Sequence, residues 1–517
     1  MRNAETLMKK NDINIGLSKS LYTRGLQCEK SLWLKKYNPE VLTPPDAQLQ
    51  AVFETGNLVG DKACELFPEG KKVPYEGKNH AKNIELTQKL LSEGVKNIYE
   101  ATFEYDGILV LIDIFHQKED GSFEIYEVKS STWHSNKSID DINHYIDDAS
   151  IQYYVLNGLG YNISDTYITL LNTDYVRGPE LDIWQLFSHV KVTEEVLELQ
   201  GGIPSILESF REILTDTENE PDTDIGWHCN NPYECNAHEY CWKTQRDIPD
   251  YSVFDIFQLN KNAKSIQLYR EGVTSVEDIP EDFKLTEIQQ LNIDVWKYKK
   301  SIINKEAIKQ FIDTLSYPIH HFDFETLNPA IPKFSGMSSY EKFPFQYSLH
   351  IEHEDGKLQH IPCLVEPGQD PREVIAKRMT EDIPQGSCMM AYNSSFEMGV
   401  IKKLATLYPV YAEHLMSLHD NFIDLHTVFK NRNYCTPEMQ GKSGLKTVLP
   451  IIAPEMEKAY SELDMVQHGG DAMNIYNKLE ESSDMEEISR YKSSLLAYCK
   501  LDTLAMVKIL EQLKRII

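Results

Sequence analysis

The chain has 517 residues, 41% of them hydrophobic, with nine cysteines and a net charge of −28 from 52 basic and 80 acidic side chains. That length predicts roughly three domains with ordinary cores, and the acidic balance argues against a surface that coats nucleic acid through broad basic patches. No apolar run approaches the roughly 20 residues of a membrane span, and residues 1–12 lack the apolar centre of a signal peptide. The expectation is therefore a cytoplasmic protein with no membrane partner. An odd number of cysteines in a reducing compartment speaks for metal or cluster ligation over disulfides.

In chain order, apolar spacing predicts helices over 53–66 and 83–91, then strands over 110–115 and 123–128 joined through Glu119-Asp120-Gly121. A helix containing 151–156 packs on them, and 165–171 is a further strand, which together make an α/β domain. Asp113 closes the apolar run 108–114, while Glu127 and Lys129 alternate on the next strand and project from one face. Two carboxylates to hold Mg²⁺ or Mn²⁺ and a lysine to position water or stabilise developing charge are the parts of phosphodiester hydrolysis.

The acidic, proline-containing stretch 215–224 predicts a surface loop. Cys229-x₅-Cys235-x₅-Cys241 follows it, and three cysteines within thirteen residues favour ligation, by zinc or an iron–sulfur cluster, with His228 and His238 as further zinc donors. Cys64, Cys363, Cys388, Cys435 and Cys499 are scattered and read as core residues.

Short helical patterns broken at Glu271-Gly272 and Ile279-Pro280 predict a helical connector over 249–312. A second α/β unit then begins, with strands 319–324, 345–351, 360–365 and 388–391 and helices 371–380, 395–406 and 487–515. Asp323 and Glu325 share one face of its first strand, and Glu397 and Asp502 come from helices. Tyr498 lies one helical turn before Asp502 on the same face, where its hydroxyl reaches a catalytic water. Four carboxylates and a tyrosine make a two-metal hydrolytic site, with Asp323, Glu325, Glu397 and Asp502 as metal ligands beside Asp113 and Glu127 of the first site.

Two resemblances cover most of the chain. Leu17 to Cys28, Gly56-Asn-Leu-Val-Gly60, Glu100, Ile112-Asp113, Glu127-Val-Lys129 and Gln152-Tyr-Tyr make residues 17–245 resemble the RecB-like PD-(D/E)xK nucleases, in particular the iron–sulfur branch with the CRISPR-associated exonucleases. This implies a restriction-endonuclease-like domain over 1–248 with catalytic Asp113, Glu127 and Lys129. It also implies substrate contact by Gln152 and a [4Fe-4S] cluster on Cys28, Cys229, Cys235 and Cys241, with zinc as the alternative. The family's histidine on the early helix is absent, leaving Asp61 or Glu54 as substitutes.

Asp323-x-Glu325, Asn393-x-x-Phe-Glu397 and Tyr498-x₃-Asp502 make 318–517 resemble the DEDD exonucleases of the RNase H-like superfamily, and further a bacterial domain of unknown function placed there. The resemblance implies an RNase H-like domain over 313–517. Glu397 departs from the family's aspartate by one methylene, and Asp424 reads as a structural cap. The resulting expectation is a metal-dependent nuclease acting on DNA in preference to RNA, with a RecB-like site and a 3′–5′ exonuclease-like site, in repair, recombination or defence. No G-x-x-x-x-G-K-[S/T] loop occurs, so unwinding falls to a separate helicase or defence partner. The alternative is a catalytically silent nucleic-acid-binding adaptor whose cluster or zinc holds the fold. A redox role lacks any dinucleotide fingerprint.

Overall fold

The computed structural model describes residues 16–74, 80–259 and 263–517; residues 1–12, read above for targeting, lie outside them. The chain is mixed α/β and divides into two units, one of Met1–Asp247 with Pro329–Tyr340, the other of Ile248–Asn328 with Glu341–Ile517.

The first unit opens with helices α1 (Lys19–Gln27) and α2 (Glu29–Tyr37), which meet at Cys28 in an extended backbone conformation. Helix α3 (Ala47–Cys64) starts earlier than apolar spacing predicts, because the Asp46 side chain accepts a hydrogen bond from the Leu49 amide. Then come α4 (His80–Ser92), β1 (Asn97–Tyr105), β2 (Ile108–Gln117), β3 (Phe123–Trp133), α5 (Asn143–Gly158), β4 (Ile163–Asn172) and β5 (Phe187–Lys191). The sheet runs 71–72, β1, β2, β3, β4, β5, with residues 17–18 pairing in parallel to the start of β2. Strands β1 to β3 are antiparallel and β4 lies parallel to β3. Strand β1 escapes the sequence pattern because it does not alternate: Ile98, Ala101 and Phe103 are all fully buried.

One detail of register creates the first site. Strands β2 and β3 pair only from Ile114↔Tyr126 to Gln117↔Phe123, after which they part, and the 17–18 segment takes the edge of β2 at Ile108 and Leu109. Asp113 and Glu127 are the first residues beyond the fork.

In the second unit, residues 248–312 carry helices Lys264–Arg270, Glu287–Lys297 and Lys305–Ile312 and an apolar cluster of Tyr251, Val253, Ile256, Leu268 and Ile293. The connector is thus part of this unit. It continues with β6 (Ile319–Leu327), β7 (Phe343–Glu352), β8 (Leu358–Leu364), α6 (Pro371–Asp382), β9 (Cys388–Ala391), α7 (Ser395–Leu407), β10 (Phe422–Asp424), α8 (Leu445–Ile452), α9 (Gly469–Glu481) and α10 (Met485–Ile516). The sheet order is β8-β7-β6-β9-β10; β7 is antiparallel to both neighbours, and β9 and β10 continue parallel to β6. Asp484 starts α10 by accepting from the amides of Glu486 and Glu487.

Residues Pro329–Tyr340, between β6 and β7 in sequence, belong to the first unit. Tyr340 Oη donates to the Ser130 carbonyl at 2.7 Å, and Ser338 Oγ to the Tyr175 carbonyl at 2.7 Å. The Arg177 amide donates to the Met337 carbonyl and the Gly336 amide to the Arg177 carbonyl, so this strap braces β3 at the residue after Lys129. Among the described residues, no helix is long and apolar enough to cross a membrane.

Candidate functional site

At the fork of the first unit, Asp113 Oδ2 accepts from the Val128 amide at 2.7 Å, tying β2 to β3 where their ladder has ended. Glu127, 2% exposed, accepts through Oε1 from both Lys19 Nζ (2.6 Å) and Lys129 Nζ (2.8 Å), and Lys129 also bonds Asp148. Burial alone would push the Glu127 carboxyl up, but the two ammonium groups overcome it and bring it down to about 2. Asp113 moves the other way, up to about 7, because of burial and the charge on Glu127. Two adjacent carboxyls with pKa values driven apart are a common property of hydrolytic sites.

The substrate contact expected of Gln152 does not fit its environment. The side chain is fully buried on α5, and its Nε2 donates to Glu127 Oε2 at 2.6 Å and to the Leu111 carbonyl at 3.0 Å. It positions Glu127 from behind. The substitutes named for the missing histidine fare no better: Asp61 is exposed and paired to Lys72 at 2.6 Å, and Glu54 is exposed. Glu100 instead lies between the ladder pairs Tyr99↔Ile114 and Ala101↔Ile112, as Asp113 does on the facing strand, and burial raises its pKa. Lys19 and Asp148 carried no recognisable local signal, since each joins the site only through tertiary contact.

The three cysteines singled out by spacing, Cys229, Cys235 and Cys241, and Cys28, which the resemblance added, all line one pocket together with Lys30, Ser31, His228, His238 and Trp242. Its walls are knitted across more than 200 residues of sequence: Arg24 donates to Asn236 Oδ1 at 2.9 Å, Gln27 Nε2 to the carbonyls of His228 (2.9 Å) and Tyr233 (2.7 Å), and Lys30 Nζ to Gln245 Oε1 at 2.7 Å. Burial raises the thiols of Cys28 and Cys229, and that of Cys241 to about 11. The loop between Cys229 and Cys235 also reaches the fork: Tyr233 Oη donates to Tyr145 Oη at 3.3 Å, and Lys129 Nζ sits 5.1 Å from the centre of the Tyr145 ring.

In the second unit, Asp323 and Glu325 on β6, Glu397 on α7, and Tyr498 and Asp502 on α10 are drawn together in the interior. Burial raises Asp323 and Glu325 well above the carboxylate range, and Asp502 adds to this at both. Burial also brings Asp502 to about 6 and Glu397 to about 8, the latter with help from Asp424. Asp424 does cap, accepting from the amides of Asn393 and His426, yet its charge is felt at Glu397. Glu397 Oε2 is buried without any hydrogen-bond partner.

Three residues of this site were missed by sequence. Tyr460 Oη donates to Asp502 Oδ1 at 2.5 Å, and Lys446 Nζ donates to Tyr498 Oη at 3.3 Å and to the Gln467 carbonyl at 2.5 Å. Cys499, read as an incidental core residue, is the correction: its sulfur joins Asp323 and Glu325 in a set whose ligand atoms all lie within 4.8 Å of one another. Its position three residues before Asp502, on the same helix face, was the available signal.

Residues 320–444 match the model of a domain of unknown function, DUF2779. The match takes in Asp323, Glu325 and Glu397 and ends before Tyr498 and Asp502. A stretch of 296 residues, 53% of this chain, is 23% identical to an uncharacterized protein, UU173, of Ureaplasma parvum serovar 3, and covers 42% of that protein. The chain therefore spans less than half the length of this relative, and neither match carries an activity.

Proposed function

We propose that the chain is a metal-dependent nuclease with one hydrolytic site in each unit, acting on DNA in preference to RNA. The observation that carries this reading is the approach of Asp323, Glu325, Glu397 and Asp502, from segments up to 179 residues apart, near enough for the other three to add to burial in raising the pKa of Asp323, with ligand atoms of Asp323 and Glu325 within 4.8 Å of each other and an orphaned oxygen on Glu397. Crowding these carboxylates with Lys446 beside Asp323, Glu325 and Asp502 is unfavourable unless they neutralise or bind cations. Divalent cations bound there would polarise a phosphodiester and lower the pKa of an attacking water. Asp323, Glu325, Glu397 and Asp502 supply the oxygen ligands, while Tyr498, hydrogen-bonded to Asp502, is placed to orient the water. The sheet order, with β7 antiparallel and β9 and β10 parallel to β6, supports an RNase H-like reading of this unit.

In the first unit, the helix–three strands–helix–strand sequence from α4 to β4 supports the PD-(D/E)xK reading. Asp113 and Glu127 offer the oxygen ligands, Gln152 fixes the orientation of Glu127, and Lys129 stabilises charge developing on the phosphate. The cysteine pocket, lined by all four thiols, supports a bound cluster or zinc. His228 Nε2 lies 3.8 Å from Cys229 Sγ, which keeps zinc as the alternative occupant. Cys28, Cys229, Cys235 and Cys241 would hold a [4Fe-4S] group that ties α1 and α2 to the end of the unit.

The silent-adaptor reading draws on one observation, the double occupation of Glu127 Oε1 by Lys19 and Lys129. Incubating pure full-length protein with end-labelled single- and double-stranded DNA and RNA, with Mn²⁺ and with chelator, separates the two. Mn²⁺-dependent shortening of DNA supports the nuclease; intact substrate under every condition supports the adaptor.

A further inference from the structure

The second site contains a donor that hydrolysis by hard cations does not require. Cys499 Sγ lies 3.9 Å from Asp323 Oδ2 and, with Asp323 and Glu325, belongs to the set closed within 4.8 Å. The residue is fully buried on α10, a 32-residue helix whose neighbouring positions Leu495, Thr503 and Met506 are themselves buried, so the thiol has no route to solvent by rotation alone. Cys388 makes a useful contrast, since it sits in an apolar cluster with Ile319, Met390 and Leu425. Independently of the thiol, Glu397 Oε2 is buried beside this set without a hydrogen-bond partner, and its charge acts on both Asp323 and Glu325.

We propose that Cys499, Asp323 and Glu325 form a mixed sulfur–oxygen site for a thiophilic divalent cation of the zinc or cadmium class, which competes with hard cations for the same carboxylates. Ligand separations of about 3.5 Å around a tetrahedral ion of this class are reached from the present geometry by side-chain shifts of an ångström or so. Sulfur selects soft ions over Mg²⁺. Binding exchanges the S–H bond for a sulfur–metal bond and releases the proton to solvent. Occupation removes Asp323 and Glu325 from hydrolysis, so the site acts as an inhibitory sensor of thiophilic metal. This inhibitory role rests on the nuclease reading; the binding does not.

The test uses full-length protein titrated anaerobically with Co²⁺, comparing wild type with Cys499→Ser and Cys499→Ala. The remaining eight cysteines are common to all three, so near-ultraviolet sulfur-to-Co²⁺ absorbance lost from both variants reports Cys499 alone. The expected result is loss of one equivalent of that absorbance in both variants and in Asp323→Asn, with Mn²⁺ binding by electron paramagnetic resonance retained when Cys499 is replaced. Zn²⁺ inhibition of any Mn²⁺-dependent cleavage then weakens by about tenfold or more. Equal absorbance in wild type and the cysteine variants overturns the proposal, as does an increment that survives Asp323→Asn. Absence of cleavage in wild type, with the absorbance difference present, would sink the nuclease reading and leave the metal site standing.

Discussion

The two acidic sites solve the same electrostatic problem in opposite ways. At the fork, Glu127 is held by two lysines that arrive from α1 and from its own strand, so most of the negative charge is answered within the protein. In the second unit, Asp323, Glu325 and Asp502 face Lys446, which is itself pushed down by burial, Glu397 adds its charge to Asp323 and Glu325, and the pKa values of the four rise instead. The contrast teaches that the first site can stand as an ion-pair network with its ligands pre-placed, whereas the second stores unfavourable charge that cation binding relieves. Pre-placed positive charge at the fork suits stabilisation of a phosphate; stored negative charge suits metal capture.

The sharpest way to break the comparison is to remove the second site's ligands. Asp323→Ala combined with Asp502→Ala should lower release of nucleotides from 3′ ends on the order of 10³-fold while sparing cleavage that depends on Asp113, as read from end-labelled products. At the fork the opposite cost applies. Glu127→Ala removes the carboxylate partner of Lys19 and one partner each of Lys129 and Gln152 and should destabilise the protein by about 3 kcal/mol, measured by chemical denaturation, with Glu127→Gln costing less. Tyr498→Phe should slow 3′ release by about 10²-fold without weakening Mn²⁺ binding, because it deletes a hydroxyl and no ligand.

A smaller effect concerns pH. Glu397 at about 8 and Asp502 at about 6 lie above their ordinary values, so between the ordinary carboxylate range and pH 8 the folded chain holds protons that the unfolded chain has lost. Their contribution to stability is complete at acid pH and is lost as the pH rises through those values. Metal-free protein should therefore melt at lower temperature at pH 8 than at pH 5, and Asp502→Asn should flatten that slope. Glu127, held at about 2, has the opposite sign: its contribution is present above its ordinary value and disappears only as the pH falls toward 2.

The sequence made the ligand carboxylates legible because they sit in strands and helices with clear periodicity. Asp113 interrupts an apolar strand, Glu127 and Lys129 alternate, and Tyr498 and Asp502 share a helix face. It hid the residues that tune them. Lys19 reaches Glu127 across 108 positions and Lys446 reaches Tyr498 across 52, and no local pattern encodes such contacts. Strand β1 was hidden by burial on both faces, and the strap Pro329–Tyr340 by lying within an otherwise continuous domain sequence. Spacing brought out Cys229, Cys235 and Cys241, and the family resemblance added Cys28, yet Cys499 was ranked with the incidental ones because a lone thiol carries no pattern until the fold sets it beside carboxylates.

The account rests on there being two separable metal-dependent hydrolytic sites, and product analysis on one end-labelled DNA tests it most directly. Wild type, Asp113→Ala, the Asp323→Ala/Asp502→Ala pair and the triple variant are compared with Mn²⁺. The account predicts that Asp113→Ala and the pair each lose a different class of product and that the triple variant loses all of them; digestion by the triple variant at the wild-type rate would contradict it.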